Sequence, residues 1–173
     1  GDGMSRPPAH LSRLAVQRAH TKLKQRNISH AIPTDYAPVE ITERTALMGL
    51  LGEITATHDD QADYWNHLAE CRNVLMFGAG HMREQFKRDG GDPSVYIQIL
   101  KLCDKAKIAM IAVKRREEKT GKFGVSGDDR AAIIGLVETS SEFWRKQPAW
   151  FFRDCVNAAR KMHTTINKGR NAA

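Results

Sequence analysis

The apolar stripe between Ile99 and Val113 constrains the fold of this chain more than any other feature of the sequence. Its members recur at intervals of three and four residues, which is the spacing of one face of an α-helix, and lysines fill positions around them. Asp92-Pro93 precedes the stripe and favours a helix start, because aspartate caps free amides and proline fits the first turn. The pattern predicts a helix that ends near Lys119. Its inward-facing residues are expected to be Ile99, Leu102, Cys103, Ala106, Met110 and Val113.

Two helices with the same spacing are expected before this one. The first is predicted from Pro38 to Thr57, and the second follows it and reaches about Phe86. Gly78 and Gly80 are expected to end or kink the second helix, because each glycine weakens a helix interior by about 1 kcal/mol. The buried stripe of the first helix is expected to comprise Leu47, Leu50, Leu51 and Ile54.

Two more helices are expected after the glycine-punctuated turn at residues 120–127, and Pro148 separates them. No segment alternates between apolar and polar residues as a half-buried strand does. The sequence therefore predicts an all-α, single-domain helical bundle or orthogonal array of five to six helices. The stripe from Ile99 to Val113 could also pair with a second copy of the chain, although a monomeric core explains it equally well.

The N-terminal part is expected to differ from the body of the protein. Residues 1–3 precede Met4 and resemble a cloning remnant. A basic amphipathic helix is predicted from His10 to Arg26, and a proline-containing loop follows it, so residues 4–37 are assigned to a basic helix and loop. Residues 38–168 form the expected helical core domain, and residues 169–173 are predicted to be a flexible tail.

The charge balance favours contact with polyanions, because the net charge is +7 and the isoelectric point is near 9.5. Glu117 and Glu118 directly follow the basic triplet at residues 114–116 and neutralise part of its charge, and neither a helix-turn-helix nor a zinc-finger signature is present. A solvated basic face is therefore the alternative to a nucleic-acid surface. The residues predicted to contact nucleic acid are Arg13, Arg18, Lys22, Arg26, Lys114, Arg115 and Arg116.

No apolar run approaches the roughly 18 residues that cross a bilayer, and the N-terminus is polar and basic. These features predict a cytoplasmic protein without membrane contact. Cys71, Cys103 and Cys155 are widely spaced on apolar helix faces, so we expect reduced thiols in the core.

Two histidine–glutamate pairs suggest a metal site, since each pair places an imidazole and a carboxylate one helical turn apart. The pairs are His67 with Glu70 and His81 with Glu84, in the reverse of the usual order, so solvated helix faces are the favoured interpretation and no cofactor is expected. His67 also lies four residues before Cys71, where a base could activate a thiol, but a core thiol is favoured.

Glycines at 121, 124 and 127 could cradle a phosphate ahead of a helix. No strand precedes them, and the two aspartates that follow would repel an anion, so a rigid turn is favoured. The aromatic residues around Pro148 are expected to be mostly core. If one of them is exposed, the group would resemble a partner-binding hot spot. Its members would be Trp144, Arg145, Trp150 and Arg153.

Two motifs resemble uncharacterised helical accessory proteins of proteobacterial plasmids and prophages. They are Ala62-Asp63-Tyr64-Trp65-x-x-Leu68-Ala69 and Arg116-x3-Thr120-Gly121-x-x-Gly124-x-Ser126-Gly127-Asp128. The resemblance covers residues 40–160 and implies an accessory role in a mobile element, such as control of host functions, transfer or gene expression. It carries no catalytic residues.

The leading functional hypothesis is a non-catalytic binding protein that regulates a macromolecular partner, preferably another protein. One alternative is a nucleic-acid-binding regulator that uses the basic surface. The other alternative is a metal-dependent helical-bundle enzyme.

Overall fold

The computed structural model describes residues 36–172, without the side chains of residues 167, 168 and 170–172. These residues form five helices and no strand, so the predicted all-α fold is confirmed. The predicted basic helix and its candidates Arg13, Arg18, Lys22 and Arg26 lie outside the described residues. The helices are α1 (Ala37–Leu50), α2 (His58–Arg88), α3 (Ser94–Thr120), α4 (Gly127–Arg145) and α5 (Ala149–Ala172).

Helix α1 ends at Leu50, seven residues before the predicted boundary. Gly52 has a φ of +76° and donates to the carbonyl of Gly49, while the amide of Glu53 donates to the carbonyl of Met48. These two bonds form a Schellman motif, which satisfies the free carbonyls at the end of a helix. Ile54 therefore lies beyond the helix and is 36 % exposed, so its predicted place in the buried stripe was wrong.

Helix α2 starts at a capping box. The hydroxyl of Thr57 accepts from the amide of Asp60, and the carboxylate of Asp60 accepts from the amide of Thr57. The helix then continues to Arg88, so the predicted end at the two glycines was wrong, while a kink there stays a prediction.

Gly78 explains why α2 tolerates glycine in its interior. A Cβ atom placed on Gly78 would lie 2.6 Å from Cη2 of Trp144, so only glycine lets α4 approach α2 this closely. Gly80, in contrast, faces open space. The weak helix propensity of Gly78 is outweighed by tertiary packing.

The breaks between the later helices agree with the sequence to within a residue or two. The carboxylate of Asp92 accepts from the amide of Ser94, next to the start of α3. Gly121 and Gly127 have positive φ values and bound the turn between α3 and α4, which confirms the interpretation of this segment as an interhelical turn. Helix α5 begins directly after Pro148 and extends to Ala172; the predicted flexibility of residues 169–173 stays a prediction.

Helix α2 is the central element, because it packs against α1, α3, α4 and α5. Two clusters of buried residues form the core. One is rich in aromatic residues and includes Tyr36, Phe86, Tyr96 and Trp144. The other is mostly aliphatic and includes Leu50, Leu68, Val113, Phe123 and Ile133.

The stripe predicted on α3 is largely buried within the chain, with Met110 and Val113 fully packed in the aliphatic cluster. Cys71, Cys103 and Cys155 are all buried and form no disulfide, as predicted. Among the described helices, none combines the length and apolar character needed to cross a membrane.

Candidate functional site

A groove of about 550 Å³ lies between α1 and α5, with α2 as its third wall. This volume is within the range of sites that hold a small molecule or the side chains of a bound segment. The groove is lined by Pro38, Val39, Thr42 and Glu43 of α1, by His67, Glu70, Cys71 and Val74 of α2, and by Phe152, Arg153, Val156, Asn157 and Arg160 of α5.

The lining is mixed in character. Each of the three helices contributes apolar surface, through Val39, Val74, Phe152 and Val156. Polar and charged groups stand among these side chains, and the most buried of them is Glu43. A concave apolar surface with a few polar groups is the usual composition of a binding site.

Glu43 is only 4 % exposed and is held by hydroxyl donors. The hydroxyl of Tyr36 donates to Oε1 of Glu43 at 3.0 Å, and the hydroxyl of Ser140 donates to the same oxygen at 3.2 Å. The buried thiol of Cys71 lines the groove beside this carboxyl group. Burial raises the pKa of Glu43 to about 7, although Cys71, Tyr36 and Ser140 oppose the shift.

No basic side chain of the described residues contacts Glu43. The neighbouring carboxylate, Glu40, behaves differently, because Arg145 donates to both of its oxygens at 2.8 and 3.0 Å. At the groove, Glu70 is paired with Arg160 at 3.1 Å. Glu43 is thus the most buried carboxyl group of the described residues, and its charge is not balanced by a cation.

The sequence analysis did not identify Glu43 as a candidate site residue, although the sequence contains a signal for its burial. The inner face of α1 is formed by residues at alternating intervals of three and four, and Glu43 occupies the middle of that series. An acidic residue in register with apolar ones indicates burial. The series is Tyr36, Val39, Glu43, Ala46 and Leu50.

The residues proposed for a metal site are not brought together. His67 and Glu70 line the groove, whereas His81 packs against the ring of Phe151 at a centroid distance of 5.2 Å. The two histidines are 14 positions apart, which corresponds to about 21 Å along a continuous helix. Glu84 pairs with its neighbour Arg83. Within residues 36–172, no group of three or more His, Cys, Asp or Glu residues could hold a metal ion.

The proposed thiol–base pair is also unsupported. Cys71 is buried, and burial raises the pKa of its thiol well above the ordinary value. His67 is exposed on the outer part of the groove. Because the thiolate is the reactive form, a thiol in this environment is a packing and hydrogen-bonding residue.

The aromatic residues around Pro148 are mostly core, as expected. Trp144 is only 1 % exposed, so its assignment to a partner-binding surface was wrong. Arg145 is exposed but is engaged by Glu40, and Trp150 is partly buried against Phe151. Of the four predicted contact residues, Arg153 is the one that lines the groove.

The basic triplet at the end of α3 is largely occupied within the chain. Lys114 pairs with Glu117 at 3.4 Å and lies 5.9 Å from the ring centre of Trp65. Arg116 donates to the carbonyl of Gly124 and to the carboxylate of Asp129. Arg115 is exposed. Lys114 and Arg116 are therefore engaged in ion pairs although both keep part of their surface exposed.

Comparison of the chain with protein-family models, with curated proteins and with solved structures finds no match. The resemblance to plasmid and prophage accessory proteins stays a prediction. Any functional conclusion for this protein therefore rests on the geometry of its own residues, and the groove between α1, α2 and α5 is the feature from which it is drawn.

Proposed function

We propose that this protein is a non-catalytic binding protein that regulates a macromolecular partner, and that the partner is another protein held in the groove between α1, α2 and α5. The observation that carries the proposal is the composition of the groove, in which apolar side chains from three helices surround a few polar groups. Such a surface suits the side chains of an inserted segment.

The groove matches the common mode in which one partner lays an amphipathic segment into an apolar cleft of the other. Val39 and Val156, which are partly exposed, offer apolar contact area. The Glu70–Arg160 ion pair and Arg153 supply polar contacts for the flanking residues of the segment. The resemblance noted in the sequence adds the expectation that the partner belongs to a process controlled by a plasmid or prophage.

The experiment is site-specific photo-crosslinking in cell extract. A photoreactive amino acid at Asn157 stands in the groove, and one at Lys107 stands on α3, which contributes nothing to the groove. We expect one discrete protein adduct from position 157 and none from position 107.

A second variant decides whether the adduct depends on the groove. Val156→Arg fills the groove with a long charged side chain, and it should abolish the adduct while the circular dichroism spectrum and Tm stay close to those of the parent protein. Equal adducts from positions 157 and 107, or an adduct that persists in Val156→Arg, would contradict the proposal.

A second candidate function is nucleic-acid binding, and the outer face of α3 favours it. Four basic residues follow this face at helical intervals, and Ile108 between them is 69 % exposed. They are Lys101, Lys105, Arg115 and Lys119. Binding of duplex DNA should weaken steeply as salt rises, because neutralised phosphates release counterions. It should be lost in Lys105→Glu/Arg115→Glu but retained in Lys146→Glu; equal affinity in all three proteins would reject this function.

A further inference from the structure

We propose that the groove recognises a primary alkylammonium group, which places its charge against the carboxyl group of Glu43 and its alkyl chain along the apolar wall. The inference rests on the proposed function and names the chemical group that the groove selects. The shared chemistry has two sources, namely a lysine side chain of a partner protein and a free aliphatic amine.

The first step is the unbalanced charge of Glu43. Its hydrogen-bond partners are the hydroxyls of Tyr36 and Ser140, both of them neutral donors. A buried carboxylate is costly unless a cation compensates it. The groove is the path by which such a cation reaches Glu43, because Glu43 lines it directly.

The second step is the remaining acceptor capacity of the carboxyl group. Tyr36 and Ser140 both donate to the same oxygen, Oε1. An ionised carboxylate accepts about four hydrogen bonds, so a further donor can be accommodated. An ammonium group is compact and carries three rotatable donors, whereas a guanidinium needs a wider, planar approach. The compact ammonium therefore suits a carboxyl group as deeply buried as that of Glu43, which is only 4 % exposed.

The third step is the orientation of the ligand. Val39 and Val156 line the groove, are partly exposed and provide contact for an unbranched alkyl chain, such as the methylene stem of lysine. Arg153 and the Glu70–Arg160 pair also line it. The Glu70–Arg160 pair is neutral overall and, together with Arg153, suits a neutral or polar outer end of the ligand.

The fourth step is the release of a proton from Glu43 when the ammonium binds. The pKa of Glu43 is about 7, so an ammonium that pairs with the ionised carboxylate displaces a proton near neutral pH. Amine affinity should therefore rise between pH 6 and pH 8. The other titratable or charged groups that face Glu43 or line the groove are Tyr36, Glu40, His67, Glu70, Cys71, Arg153 and Arg160.

The test is calorimetric titration of the full chain with n-pentylamine, n-pentanol and n-pentanoate. These probes share the apolar chain and differ in the end group. We expect the amine to bind roughly tenfold more tightly than the alcohol, the difference that a charge-assisted hydrogen bond typically makes. Binding of the alcohol or of the pentanoate that equals or exceeds that of the amine would overturn the proposal.

Two variants locate the effect. Glu43→Gln should reduce amine affinity to the level of the alcohol, while Glu53→Gln, a change at an exposed ion-paired carboxylate, should leave it unchanged.

If Glu43→Gln does not fold, the pH dependence of amine binding to the parent protein tests the proposal instead. Amine affinity should rise roughly tenfold from pH 6 to pH 8, as the ionised fraction of Glu43 grows, and alcohol affinity should not. A flat amine profile would overturn the proposal. His67 also lines the groove, so His67→Gln is the control, and amine affinity should still rise from pH 6 to pH 8 in this variant.

The two sources are separated by Nα-acetyl-lysine methylamide and its Nε-acetyl derivative. Binding of the first but not the second supports a lysine of a partner protein, whereas binding of pentylamine alone supports a free amine. A crosslinked adduct at position 157 without any amine binding would refute this inference and leave the proposed function standing. Amine binding without an adduct would support this inference and contradict the proposed function.

Discussion

At the scale of single residues, the chemistry of this protein is concentrated in Glu43. Burial at this depth favours the neutral, protonated form of the carboxyl group. The hydroxyl donors around it are neutral and do not balance the negative charge of the ionised form. The pKa of Glu43, about 7, lies above the ordinary value of 4.5. Its contribution to stability is therefore fully present below pH 4.5 and is lost as the pH rises through 7.

This shift predicts the pH dependence of unfolding. The parent protein should lose about 2 to 3 kcal/mol of unfolding free energy between pH 5 and pH 8 through Glu43 alone. Glu43→Gln cannot ionise, so its stability should be flatter over the same window. Urea denaturation at four pH values measures both proteins. Equal slopes against pH would show that Glu43 is ionised in the folded protein at pH 5.

At the scale of helices, the sequence predicted where apolar faces lie better than where helices end. The stripe on α3 is largely buried as expected, because periodicity reports directly on burial. The end of α1 was misplaced because Leu51 and Ile54 continued the helical spacing past Gly52, where a left-handed residue turned the chain. Helix α2 was expected to end or kink at Gly78 because helix propensity depends only on the local sequence. The contact with Trp144, which favours glycine there, comes from a different helix and is not visible in the local sequence.

The two glycines of α2 make a matched pair for testing this explanation. Gly78→Ala should destabilise the protein by about 1 to 3 kcal/mol, since its Cβ would meet Trp144 at 2.6 Å. Gly80→Ala adds the same methyl group to the same helix in open space, and should stabilise it by up to about 1 kcal/mol. Thermal unfolding of both variants gives the comparison. Similar effects of the two substitutions would contradict the close packing of α4 on α2 at Gly78.

At the scale of the whole molecule, the fold class followed from the sequence, whereas the groove did not. The position of α5 beside α2 depends on contacts between residues that are distant in the sequence, such as Glu70 with Arg160, which are 90 positions apart. Glu43 and Ser140 meet in the same way. A single sequence does not contain such pairings in its local pattern, so the site could not be assembled before the packing was known.

Because α2 joins both core clusters, the described residues should unfold in one transition. Trp65 packs against the aliphatic cluster, and Trp144 lies in the aromatic one. In a Trp65→Phe variant, fluorescence reports on the aromatic cluster, while circular dichroism reports on all helices. The two urea midpoints should coincide. Two separated midpoints would indicate that the clusters unfold independently.

The central place of α2 also limits how the length of this chain can vary. An inserted or deleted residue rotates everything beyond it by about 100° around the helix axis. A change of length within the 31 residues of α2 would therefore turn one half of its contact surface away from the helices that pack there. The turn at residues 121–126 has no such constraint along most of its length. Relatives of this protein should differ in length at such turns and keep the length of α2.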